Sequence, residues 1–120
     1  VNYSTQAELD AAVAYWQKIL RLQDWEVKAK IVRQLDKCGD NTFKTASKKS
    51  LIRLLNPIDA VDWDFPLDHE KTLVHELLHL HLFHEVLDKS FEVGTLNDTL
   101  SEQAVECLSL ALVELNRKGQ

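Results

Sequence analysis

The stretch Val74-His75-Glu76-Leu77-Leu78-His79-Leu80 constrains this chain more than any other. Two histidines four residues apart lie about 40° apart around an α-helix and one turn along it, so both imidazoles can reach one metal ion. Glu76 stands beside them, able to handle a proton. The flanking residues are apolar and helix-favouring. The periodicity predicts a helix from about Leu67 to Leu87, introduced by Pro66 with Asp68 or Leu67 near its start, and apolar almost all round. Such a helix is buried in the middle of its domain. Two imidazoles and a carboxylate placed there carry a desolvation cost unless they are paired or bind metal.

At 120 residues the chain reads as one domain spanning 1–120, long enough to bury a core without staples. The Ser4/Thr5 to Arg21 region predicts a backing helix, with Leu9, Val13, Trp16 and Leu20 recurring at three- and four-residue steps and Glu8 in capping-box spacing to Thr5. The period then changes to two: Trp25, Val27, Ala29 and Ile31 alternate with Glu26, Lys28 and Lys30, a strand with one face wet. A wet face favours an antiparallel or mixed sheet. Asp36 to Asn41 reads as a turn, and Thr42–Ala46 and Leu51–Leu55 as short strands joined by the solvated Ser47-Lys48-Lys49-Ser50. Ile58 to Pro66 interleaves Asp59, Asp62 and Asp64 with Val61, Trp63 and Phe65. It lacks the glycine and glutamate of a calcium loop and reads as a connection that tucks its aromatics inward. After a loop over Asp88–Asp98, a last helix is expected from about Leu100 to Arg117, capped by Asp98 or Thr99, with Val105, Leu108, Leu112 and Leu115 as its buried stripe. The fold class is therefore α+β, with a small mixed or antiparallel sheet of three or four strands.

All five histidines fall between His69 and His84, but only His75 and His79 share a face. His81 and His84 lie about 200° and 140° round from His79, and both, with His69, are expected at the surface or a hydrogen-bonded rim. Catalytic zinc sites use three protein ligands plus water. The motif His-Glu-x-x-His-x-x-Gly-x-x-His fails here, because Leu82 replaces its glycine and Glu85 its third histidine. Glu102, 23 residues past His79 and near the start of the last helix, is the better candidate if that helix returns antiparallel. Glu106, one turn on, is then placed to accept the free ring N–H of a ligating histidine.

His75-Glu76-Leu77-Leu78-His79 followed by Glu102-Gln103-Ala104-Val105-Glu106 resembles the gluzincin branch of zinc metallopeptidases. The small size is similar to the minimal versions, the minigluzincins and short bacterial or phage relatives. The resemblance spans nearly the whole chain and implies a zincin-like catalytic domain. It implies zinc held by His75, His79 and Glu102, Glu76 as general base in peptide hydrolysis, and an extended peptide paired with the sheet's edge strand, for which Leu51–Leu55 is the expected segment. Glu106 stands where the family often has Asp. Two other readings are a latent or inactive zinc-binding module acting on one protein partner, and a metal-dependent RNA-processing hydrolase. The second needs a histidine where Glu85 stands and leaves Glu76 unexplained.

The net charge of −5 argues against a nucleic-acid partner. No apolar run approaches a membrane span, and Val1-Asn2-Tyr3-Ser4 lacks the pattern of a signal peptide, so a cytoplasmic setting with Cys38 and Cys107 as reduced thiols is expected.

Overall fold

A computed structural model describes residues 1–82 and 96–119. The central helix expected from about Leu67 to Leu87 stops at Leu78, and residues 79–82 form a turn. The rest of the expected helix, from 83 to 87, and the loop around Gly94 lie outside the described residues.

Helix α1 spans Gln6–Ile19 and is capped by Thr5, whose side chain accepts the Glu8 N–H. Leu9, Val13 and Trp16 form its buried stripe, as their spacing requires. Strand β1 (Glu26–Val32) follows, then β2 (Gly39–Lys44) and β3 (Lys49–Leu55). The sheet order is β1-β3-β2, with β1 parallel and β2 antiparallel to β3. The domain is thus α+β with a three-stranded mixed sheet among the described residues.

In register, Ala29, Ile52 and Asn41 lie side by side, as do Ile31, Leu54 and Gly39. This row faces α1 and α2 and forms the core with Trp16, Leu73, Val74 and Leu77. The opposite face carries Glu26, Lys28, Lys30, Lys44 and Lys49, all exposed, together with the Arg53–Asp40 ion pair. Leaving one face wet is what the alternation in β1 demands.

Three expectations about the sheet and the segment after it are corrected. Leu51–Leu55 is not an edge strand: β3 is central, hydrogen-bonded on both sides. The apolar Leu-Ile-Arg-Leu-Leu suits the interior of a sheet, while the polar Gly-Asp-Asn-Thr-Phe-Lys of β2 suits an edge. Half of the expected Asp36–Asn41 turn accordingly belongs to β2. The segment after β3 forms a 3-10 turn (Pro57–Ala60) and then turns its apolar side chains outward, with Val61 75% and Phe65 81% exposed. Asp59 is held by Arg33 at 2.7 Å, which fixes this loop at the sheet's rim rather than over the core.

Helix α2 covers His69–Leu78, with Asp68 as its N-cap and His79 as its C-cap. His69 is fully buried, against expectation: its Nδ1 accepts the Tyr3 N–H at 3.0 Å, and its Nε2 lies 2.7 Å from the Leu55 carbonyl. Both ring nitrogens are satisfied by backbone, which removes the cost of burial. The last helix, α3, spans Leu96–Lys118, so Asp98 and Thr99 lie inside it rather than capping it. It packs chiefly on α2. Its buried face is Val105, Ser109 and Val113, whereas the expected core residues Leu108 and Leu115 are exposed. No described helix is long and apolar enough to cross a membrane.

Candidate metal centre

The site forms where the C-terminal half of α2 meets the N-terminal half of α3. Helical spacing puts His75 and His79 on one side of α2, with ring centroids 5.1 Å apart. Glu102 reaches both from α3: its Oε2 is 3.3 Å from His75 Nε2 and its Oε1 is 3.1 Å from His79 Nε2. His75, His79 and Glu102 form a group that could hold a metal ion, with one donor atom from each lying within 4.8 Å of the others. Tetrahedral coordination with bonds of about 2.0–2.1 Å separates neighbouring donors by about 3.3 Å. Each nitrogen–oxygen spacing is close to that length, though to a different oxygen of Glu102, and two imidazoles plus a carboxylate are a donor set that zinc accepts.

Glu106 stands one turn further along α3, with its Oε2 2.7 Å from His75 Nδ1. A carboxylate only accepts, so Nδ1 donates to Glu106, leaving Nε2 as the ring nitrogen that would face a bound metal. The structure thus brings together the three expected ligands and the expected supporting carboxylate. His69 and His81 stay apart: His69 is in the core, and exposed His81 places Nε2 2.6 Å from the Leu20 carbonyl.

Glu76 is buried at 9% exposure. Desolvation pushes its carboxyl above the usual range, and the charges of Glu102 and Asp40 push the same way while His75 and His79 oppose them. With His75, Thr72 and Lys71 it lines a groove closed on the other side by Lys37, Cys38 and Gly39. Burial also raises the Cys38 thiol, with Glu106 and Glu76 adding to the effect.

Sequence reasoning missed the wall of this groove. Gly39 is required there, because a Cβ would stand 2.7 Å from both the Arg53 carbonyl oxygen and Thr72 Cγ2. That close approach lets β2 lie against α2. Asn41, two residues on, donates its amide to the Glu76 carbonyl at 2.9 Å and accepts from Ser50 Oγ at 2.6 Å. Asparagine at an inward strand position was the available signal, hidden by assigning it to a turn.

No protein family, curated protein or solved structure matches this chain. The functional reading therefore rests on the site itself.

Proposed function

We propose that the chain is a zinc-dependent peptidase. His75, His79 and Glu102 would hold the metal, and Glu76 is the general base. The observation that carries this reading is the convergence of three donors, within 4.8 Å of one another, beside a buried carboxylate that lines a groove. A zinc ion bound there would supply a Lewis acid, lowering the pKa of a water molecule and polarising a carbonyl.

The chain's own residues account for the proton. Glu76 accepts one proton from water as its oxygen bonds to the peptide carbonyl carbon. Glu76 then delivers that proton to the amide nitrogen as the C–N bond breaks, leaving an acid and an amine. Glu106 holds the His75 ring so that Nε2 faces the metal position. β3 is paired on both sides, so the substrate backbone is assigned to the outer edge of β2, which is unpaired among the described residues and lies against α2.

Purified protein should carry about one zinc per chain. Glu102→Ala should lose the metal, and Glu76→Gln should keep it but cleave no casein. Full metal retention by the Glu102 variant, or undiminished cleavage by the Glu76 variant, sinks the assignment. A Glu76→Gln chain that binds zinc, alongside a wild type that cleaves nothing, identifies the latent binding module instead.

A further inference from the structure

The outward side of α3 is apolar from Leu100 to Leu115. Leu100, Leu108 and Leu115 are 53%, 48% and 67% exposed, and Ala104, Cys107 and Ala111 are exposed between them. Wound at 100° per residue, these six positions fall within a sector of about 100°, roughly opposite Glu102 and Val105–Val113. A helix that already buries one stripe against its own domain gains nothing in a monomer from a second one. The second stripe calls for a partner.

The order of residues along the stripe says which partner. Leu100 and Leu115, Ala104 and Ala111, and Cys107 and Leu108 are three pairs centred on one point, midway between residues 107 and 108. Large side chains stand at both ends and small ones flank the middle. A copy turned end for end presents the same profile, so Leu100 meets Leu115, and Ala104 meets Ala111 where the backbones must come close. This is the self-complementarity that a two-fold axis requires. Charge selects the same arrangement: a parallel pairing would set Glu114 against Glu114 and Lys118 against Lys118, and an antiparallel one separates each from its own copy and opposes the helix dipoles.

We propose that the chain forms a two-fold symmetric dimer through antiparallel packing of α3 on α3, with Cys107 beside the axis. This does not depend on the peptidase reading. Twenty-three residues give a helix about 35 Å long. The stripe from Leu100 to Leu115 takes up about 24 Å of it, and at about 10 Å wide covers on the order of 240 Å² per copy, against roughly 800 Å² in a standard interface. The dimer is accordingly a weak one. Glu102 and Glu106 point the other way, so the metal centre stays open while the partner braces the helix that carries them.

Sedimentation of the Cys38→Ser protein should show a reversible monomer–dimer equilibrium. Diamide, which oxidises two thiols to a disulfide without adding a metal, should lock it as a Cys107–Cys107 dimer, because residues next to the axis fall within disulfide reach. Leu108→Glu should raise the dissociation constant at least about tenfold and suppress the cross-link. Monomer alone up to about 1 mM, a dimer indifferent to Leu108→Glu, or a dimer that diamide does not lock overturns the proposal. Should Leu108→Glu fail to fold, the equilibrium and the cross-link in the Cys38→Ser protein decide the matter together.

Discussion

Glu106 Oε2 lies 2.7 Å from His75 Nδ1, and that contact decides which nitrogen of the ring faces Glu102 and His79. It also makes the imidazole a stronger donor at Nε2, because the carboxylate stabilises positive charge on the ring.

Removing this support should weaken the site without dismantling it. Glu106→Ala is expected to lower metal affinity by about 10- to 100-fold. Glu106→Gln keeps an acceptor at the same reach but loses the charge, so it should fall between Ala and wild type. Competition against a chromophoric zinc chelator measures all three. Equal affinities would mean that His75 is oriented by packing alone.

Gly39 should tolerate no side chain. In Gly39→Ala the new Cβ meets a backbone oxygen of β3 and the Thr72 methyl at 2.7 Å, and the oxygen cannot swing aside as a side chain could. The expected loss is about 1–3 kcal/mol in urea unfolding. Adding Thr72→Ser removes one of the two clashes and should recover only part of it. Full recovery would show that the strand backbone yields freely.

These two sites show what the sequence could and could not convey. The His75–His79 pair and the Leu9–Val13–Trp16 stripe are local, fixed by the helical period, and both appear in the structure as expected. Glu102 was readable because a returning helix has few ways to present a carboxylate to that pair. Sheet order was not readable, since β3 reaches β1 past an intervening strand and no local pattern records the pairing. Nor was the buried side of α3. Periodicity finds apolar stripes, but α3 has two, and only packing against α2 tells Val105 and Val113 from Leu108 and Leu115. Phe65 and Val61 misled for the same reason: hydrophobicity says what a side chain favours, not whether the chain has room to bury it.

Asn41 hydrogen-bonds β2 to α2 through its side chain. Asn41→Ala leaves the Glu76 carbonyl and the Ser50 hydroxyl without the partners they have now. The cost should be about 1–3 kcal/mol. Asn41→Asp should cost at least as much, because a carboxylate accepts from Ser50 but only opposes the Glu76 carbonyl. Chemical denaturation of the two variants gives the comparison, and an Asp variant as stable as wild type would contradict the assigned bond.

The far end of α3 is tied down by Arg117, whose guanidinium meets Asp68 at 2.9 Å and Glu70 at 2.9 Å on the first turn of α2. Burial pushes the Asp68 carboxyl up, but the bonds from Arg117 and from the Lys71 N–H outweigh it and hold the group below the usual range. A carboxyl depressed in the folded state favours folding above its unfolded value of about 3.9. That contribution is lost as pH falls through the lower, folded value. Arg117→Gln should therefore cost about 1 kcal/mol at pH 7, discounted for the partial exposure of the arginine. The gap to wild type should begin to narrow as pH drops below about 4, where the unfolded chain takes up the proton, and close only once pH is below the lower, folded value of Asp68. Urea titrations across that range measure it. A gap that stayed constant with pH would assign the role of Arg117 to the packing of its aliphatic stem rather than to its charge.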